Sequence, residues 1–189
     1  MTPTDVLRAE HRLIERGLEV LEALAGRVAR NMSLAPEPPR QVYEFFIAFA
    51  DGFHHAKEEQ FLFPALRKHA HSAESAAITV MLDEHEDGRA YMKELGEVIA
   101  AGVTSDDSRE RFVVAARAYA ELQRHHVVKE EKDLLPMAER ALPPEAVADL
   151  DRRFSKHDAD NAAVRAHWER VIDQLTAELF RTPRSAVGR

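Results

Sequence analysis

The stretch "HHAKEEQFLFP", residues 54–64, sets two histidines four positions ahead of two glutamates and then ends the run with a proline. On an α-helix, residues i and i+4 lie about 40° apart around the axis and about 6 Å apart along it, so their side chains reach the same point beside the helix. A histidine and a glutamate arranged in this way can bind one metal ion. The chain has four such pairs, more than its composition predicts by chance: His11/Glu15, His54/Glu58, His55/Glu59 and His126/Glu130.

The same motif occurs a second time, as "HVVKEEKDLLP" at residues 126–136, and the two copies align without a gap. The dipeptide Glu-His precedes each copy, at residues 10–11 and 84–85. The spacing from that histidine to the first histidine of the motif is 43 residues in the first half and 41 in the second. A duplicated helical hairpin of this kind generates a pseudo-twofold site where the two halves face each other.

The repeat in register favours metal binding over the alternative that each His–Glu pair is a hydrogen-bonded pair on the surface. The histidines of the two Glu-His dipeptides occupy matched positions, which favours metal binding over the role of core histidine. The residues predicted as metal ligands are His11, His54, Glu58, His85, His126 and Glu130.

The neighbours of these residues are rotated by about 100° on an α-helix and are expected to be solvated or to support the ligands from behind. This group comprises His55, Glu59, His125 and Glu131. Glu15 is a further candidate for a supporting role. His69 and His71 are expected in a solvent-facing loop, and His157 and His167 are expected to be structural residues of a C-terminal helix.

The long segments of the chain repeat their apolar residues with a helical period, and no segment alternates with period two for long enough to indicate a strand. Four helices joined by short loops predict an all-α, antiparallel up-down-up-down four-helix bundle over residues 1–142. An accessory C-terminal helical segment in two pieces, 143–180, and a polar tail, 181–189, complete the predicted organisation. The predicted bundle helices cover residues 4–28, about 38–68, 72 to a break at 101–108, and about 107–140. Proline at positions 64 and 136 is expected to bend two of these helices just past the site.

The composition is typical of a globular protein, with 189 residues of which 45% are hydrophobic and 31% charged. The chain contains no cysteine, which excludes disulfides, thiolate metal ligands and cysteine nucleophiles. The net charge of −7, without a basic stripe, argues against nucleic acid as a partner. No apolar run approaches the roughly 18 residues of a membrane span, and no signal-peptide pattern opens the chain, so a cytoplasmic protein without membrane contact is expected.

The pattern H…HxxxE…H…HxxxE, with its EExxLFP-like endings, resembles the hemerythrin-like HHE cation-binding family over about residues 5–140. The resemblance implies a four-helix bundle with a non-haem di-iron centre, which is two iron ions joined by an oxo or hydroxo bridge. It also implies that the six residues named above are the ligands and that Glu58 and Glu130 bridge the two ions. A donor set of imidazole and carboxylate without thiolate suits manganese or zinc as well.

One departure from the oxygen-carrying members of that family concerns the third helix, where carriers place two histidines four residues apart. Here the positions four before and four after His85 are Met81 and Arg89, so the site is expected to be one histidine short. Tyr119 and Glu15 are the candidates for an unrecognised extra ligand. A missing ligand would leave an additional open position and would favour reaction with peroxide or oxygen over reversible oxygen carriage.

Several functions are compatible with such a centre. The first is binding or sensing of O2, NO or reactive oxygen species. The alternatives are a catalase-like enzyme that consumes peroxide, a protein that buffers iron, and a structural bundle that binds metal adventitiously. The expected partner is a small diatomic molecule or peroxide, and the sequence identifies no protein partner.

Overall fold

The computed structural model of the chain describes residues 2–69 and 72–180, and it contains six helices and no strand within them. The all-helical prediction is therefore confirmed. The tail expected at 181–189 and the position of His71 lie outside the described residues. Four of the helices are regular α-helices: α1 at Pro3–Ala29, α3 at Ser72–Ala101, α5 at Pro144–Asp160 and α6 at Ala162–Phe180.

The helices α2 and α4 change character along their length. Helix α2 is α-helical at Glu37–Phe45 and Phe63–His69 and π-helical at Phe46–His55 and Glu58–Leu62. Helix α4 is α-helical at Asp106–Lys129 and Leu135–Ala141 and π-helical at Glu130–Leu134. A π-helical turn therefore ends just before each motif proline, which lacks the N–H that would continue the hydrogen-bond ladder. His69 closes α2 instead of lying in a loop.

Side-chain caps begin two of the helices, α1 and α4. The hydroxyl of Thr2 accepts a hydrogen bond from the backbone N–H of Asp5, whose carboxylate accepts one from the N–H of Thr2 in return. This capping box satisfies N–H groups that the first turn of α1 leaves without partners. Ser105 and Ser108 form the corresponding box at the start of α4.

The apolar core consists of two clusters with a layer of buried polar residues between them. The larger cluster includes Leu13, Phe45, Phe49, Phe53, Met92, Ala120 and Trp168. The smaller cluster includes Leu7, Leu62, Phe63, Met81, Leu134 and Phe154. Along the chain, α1 and α3 pass from the smaller to the larger cluster, and α2 and α4 pass from the larger to the smaller. Each of these four helices therefore brings its histidines to the same level.

The two C-terminal helices pack against α1 and α2. Helix α6 places Trp168 in the larger cluster, with its ring 6.1 Å from that of Phe45, and α5 places Phe154 in the smaller cluster. Burial of such a side chain contributes about 1.5–3 kcal/mol to stability, so this packing holds the pair on the bundle. Within the described part of the chain, no helix has the length and apolar character needed to cross a membrane.

Candidate metal centre

The structure brings all six predicted ligands into two adjacent groups of donor atoms and adds one residue to them. In each group, one donor atom from every member lies within 4.8 Å of the others. The two-histidine group consists of His11, His54, Glu58 and Glu130, and the three-histidine group consists of His55, Glu58, His85 and His126. All seven residues are buried in the polar layer between the two apolar clusters.

The two glutamates lie between the groups. The two oxygens of Glu130 point in different directions, with Oε2 3.1 Å from Nε2 of His11 and Oε1 3.2 Å from Nε2 of His126. Glu58 Oε2 lies 3.8 Å from Nε2 of His54 and 3.7 Å from Nε2 of His85. Each carboxylate thus reaches one histidine of either group, which is the position that a bridging ligand requires.

The same carboxylates have no hydrogen bond of regular geometry, although Glu130 lies within ion-pair distance of His11 and His126. Both oxygens of Glu58, both oxygens of Glu130 and Nε2 of His11 are buried without a hydrogen-bond partner among the described residues. Leaving a buried charged group unpaired is costly. Burial and the charge of Glu130 raise the pKa of Glu58 well above its ordinary value. Burial also acts to raise the pKa of Glu130, but His126 and His11 outweigh it and hold that pKa well below the usual range. The donor set therefore fits cations that would pair with both carboxylates.

The Nδ1 atom of every histidine in the site contacts a carboxylate. The Nδ1–carboxylate distances are 3.2 Å for His11–Glu131, 2.9 Å for His54–Glu10, 3.4 Å for His55–Asp51, 2.7 Å for His85–Glu59 and 2.9 Å for His126–Glu84. A carboxylate on Nδ1 fixes the ring orientation and leaves Nε2 free to bind a metal, as in metal-ligating histidines generally. Five histidines of one cluster share this arrangement, which a set of structural histidines does not require.

These contacts explain the repeated dipeptides. Within each half of the chain, the glutamate of Glu-His holds the first histidine of the following motif. Between the halves, the second glutamate of each Glu-Glu pair holds the dipeptide histidine of the other half, as Glu131 does for His11 and Glu59 does for His85. Glu59 and Glu131 therefore support the ligands, one of the two roles expected for them. The support from Glu10 and Glu84 was not predicted, although the repeat of the dipeptide was its signal.

Comparison with known proteins agrees with this geometry. The family described as Hemerythrin HHE cation binding domain matches residues 2–138, which cover α1 to α3 and nearly all of α4. The chain belongs to the hemerythrin HHE cation-binding family. Members of this family bind metal cations, and the two groups of buried histidines and glutamates can hold them here. No curated protein and no solved structure shows significant similarity to the chain.

The expectation that this hemerythrin-like site is one histidine short does not agree with the structure, because His55 supplies a fifth imidazole. It is 4% exposed, and its ring stacks on that of His85 at 3.8 Å between centroids. The prediction that His55 is solvated or supports the ligands from behind assumed that a rotation of about 100° takes it away from the site. The buried face of α2 is wide enough to include both His54 and His55, just as that of α4 includes both His126 and Val127. The aligned position in the second motif is Val127.

The other candidates for an extra ligand lie outside both groups. Tyr119 is buried, but its hydroxyl accepts a hydrogen bond from Nε2 of Gln123 at 3.1 Å. Glu15 is exposed, and so is His125, as expected for the latter. On α5, the ring of His157 packs 5.0 Å from that of Phe53, which agrees with a structural role.

Arg89 connects two of the supporting carboxylates. Its Nε donates to Asp51 at 3.0 Å, and its NH2 group donates to Glu59 at 2.6 Å. These are the carboxylates behind the stacked rings of His55 and His85. Arg89, four residues after His85, thus stabilises the orientation of two ligand imidazoles.

The metal-free site contains histidines with opposite electrostatic properties. Burial lowers the pKa values of His54, His55 and His85 below the ordinary histidine value. Burial also acts to lower the pKa of His11 and His126, but nearby glutamates outweigh it and raise both, that of His126 to about 9. A cation that enters the site must therefore displace bound protons.

A small cavity adjoins the three-histidine group. It has a volume of about 60 Å³, and its walls include His55, His85, Arg89, Tyr119 and Gln123. This space is comparable with the share of a few water molecules in the liquid, about 30 Å³ each. The buried site and its small cavity have room only for a ligand of a few atoms.

Proposed function

We propose that the protein binds two iron ions, one in each group, and takes up O2 or NO reversibly at this centre. Glu58, Glu130 and an oxo or hydroxo group would bridge the ions. The observation that carries the proposal is the set of five histidines, each oriented by a carboxylate on Nδ1, around two buried glutamates that have no hydrogen-bond partner among the described residues.

The chemistry of the donor set supports iron. Imidazole and carboxylate ligands without thiolate suit iron, and manganese and zinc are the competing ions. Two iron ions at these positions would supply the electrons and the exchangeable position that binding of O2 or NO needs. The protein itself orients the imidazoles, bridges the ions and excludes bulk water.

The unequal number of histidines supports reversible binding. With both glutamates as bridges, the position with three histidines would have five protein donors and the position with two histidines would have four. His55 would fill the additional open position expected from the sequence, which leaves about one position open if both ions are octahedral. The argument for peroxide turnover depended on that additional position, so it no longer favours the enzyme over a binding or sensing protein.

The antiparallel up-down-up-down arrangement of α1 to α4 belongs to the same proposal. The alternate order in which these helices pass the two apolar clusters supports it. A cysteine-free, acidic chain also suits the reducing cytoplasm, which we propose as the location.

The experiment starts with metal analysis of the purified protein, where two irons per chain are expected. The reduced protein is then exposed to O2 or NO while its absorption spectrum is recorded. We expect a spectral change that reverses on degassing. Steady peroxide consumption without a reversible change would favour the di-iron enzyme instead. Iron that exchanges freely with a chelator and shows no response to either gas would favour an iron-buffering protein.

A further inference from the structure

The C-terminal helix α5 lies outside the family match, yet it reaches the back of the metal site. We propose that Asp158 on α5 is a positioning residue for the two-histidine group, acting through Lys57 and Glu10 on His54. This inference deepens the proposed function and depends on it, since the group positioned is a metal ligand.

The contacts form a continuous row of alternating charges. Asp158 Oδ1 lies 2.7 Å from Nζ of Lys57, and the same Nζ forms an ion pair with Oε1 of Glu10. The other oxygen of that carboxylate, Oε2, lies 2.9 Å from Nδ1 of His54. Three contacts thus connect the side chain of Asp158 with Nδ1 of His54, the ring whose Nε2 is left free to bind the metal.

The row is shielded from water at its centre. Lys57 and Glu10 are completely buried, and Nζ of Lys57 lies 4.2 Å from the ring centroid of Phe53 and 5.5 Å from that of Phe154. Charges in such surroundings interact strongly because solvent screens them little. A buried ammonium group that loses one of its two carboxylates must depend on the other.

Glu10 is the residue on which these charges act. Lys57 pairs with it directly, and NH1 of Arg165 on α6 lies 3.9 Å from its Oε1. Asp158 pairs with the same ammonium group of Lys57 and so weakens the attraction between Lys57 and Glu10. Without Asp158, Glu10 would be drawn toward Lys57 and would accept less strongly from Nδ1 of His54, which would make this imidazole a weaker metal ligand.

The second half of the site lacks this arrangement and serves as an internal control. Lys129 occupies the position that matches Lys57, and it pairs with Glu84, which holds His126. Among the described residues no carboxylate corresponds to Asp158 there, and the side chain of Lys129 is 43% exposed. Solvent screens the charge of Lys129, whereas the carboxylate of Asp158 on α5 pairs with the charge of Lys57. The effect of Asp158 should therefore be confined to one of the two metal positions.

A purely structural role, in which the ion pair only anchors α5, predicts a different result. Leu150 and Phe154 already bury the apolar face of α5, so the helix has other contacts that hold it. Loss of an anchor would lower stability and loosen both metal positions alike. Loss of a positioning contact would weaken one position and alter His54 specifically.

The test compares Asp158→Asn with Asp158→Glu and with the matched control Asp151→Asn. Asp151 is exposed on the same helix and forms no ion pair or hydrogen bond within the described ranges. The full-length variants are loaded with ferrous iron without oxygen, and the release of iron to a chelator is followed. We expect one of the two ions to leave about 10-fold faster from Asp158→Asn, the lower end of the effect of residues behind a metal ligand. Asp158→Glu should restore most of the difference, and Asp151→Asn should match the wild type.

A second readout uses the metal-free protein labelled with 15N at histidine. In Asp158→Asn the Nδ1–H resonance of His54 should move and that of His126 should stay. Wild-type release rates together with an unmoved His54 resonance would overturn the proposal, and so would equal loosening of both ions with a lower Tm. If the wild type bound no iron, the proposed function would fail, and the His54 resonance alone would then decide whether Asp158 positions that ring.

Discussion

Replacing His55 by valine tests whether this residue, which the sequence did not predict as a ligand, binds metal in the three-histidine group. Valine is the residue at the aligned position of the second motif, Val127, so it suits a buried helical position of this kind. The substitution leaves the three-histidine group with two imidazoles, as the other group has. We expect one iron per chain to be retained and the affinity for the other to fall by more than about 100-fold, since changes behind a ligand already cost 10–100-fold.

The structure indicates that the variant folds. Asp51, which His55 contacts through Nδ1, keeps its hydrogen bond from Arg89 and is not left unpaired. Replacing a buried polar group by an apolar one of suitable shape is nearly neutral when no partner is orphaned. The Tm of the metal-free variant should therefore lie close to that of the metal-free wild type.

The assay is metal analysis after anaerobic loading and chelator competition, with the variant His125→Val as control. His125 is the exposed neighbour of His126, so its replacement removes a histidine without removing a predicted ligand. A His55→Val protein that holds two irons with wild-type affinity would refute the assignment of His55 to the site. Equal iron loss in both variants would show that general histidine content, not position, determines binding.

Three further outcomes follow from the site. Glu58→Ala should abolish binding of both ions, whereas Glu59→Ala should lower affinity by about 10–100-fold and leave the stoichiometry intact at excess iron, as metal titration would show; equal losses would contradict the assignment of roles to these neighbours. Removing the metal with a chelator should lower Tm, because an ion present at 100 times its Kd contributes about 2.7 kcal/mol to the free energy of unfolding; an unchanged Tm by calorimetry would show that binding and folding are not coupled. The metal-free protein should lose stability as the pH rises above about 6.5, the pKa of histidine in the unfolded chain, which urea denaturation at several pH values would measure. Above that pH the stabilisation from the raised pKa of His126 is lost as the pH rises through about 9; a stability that is flat across this range would contradict the reasoning.

The proximity of the six predicted ligands followed from sequence because helical spacing and an internal repeat are both visible in it. A His–Glu pair at i and i+4 shares a face whatever surrounds the helix. The repeat then predicts that the pairs face each other, and the structure places both of them, His54/Glu58 and His126/Glu130, in the buried polar layer. Helix positions were predictable for the same reason, and the break between α5 and α6 falls within the segment expected to form two pieces.

The residues that sequence reasoning missed depend on backbone geometry or on distant packing. His55 faces the interior beside His54 because the buried face of α2 is wide, and the spacing of residues within the motif does not reveal how wide that face is. Lys57 and Lys129 occupy identical places in the repeat, yet only the first is buried, because α5 covers it and nothing in the motif indicates this. The contact between Asp158 and Lys57 spans 101 residues of sequence, beyond the reach of local patterns.

The location of the metal can be measured directly by diffraction from a crystal of the iron-loaded protein, recorded at the iron absorption edge. We predict two anomalous peaks per chain, both between Glu58 and Glu130. One peak should lie within coordination distance of Nε2 of His11 and His54, and the other should lie within that distance of the three imidazoles that include His55. A single peak, a peak away from these glutamates, or no peak in a fully loaded sample would contradict the proposed di-iron centre.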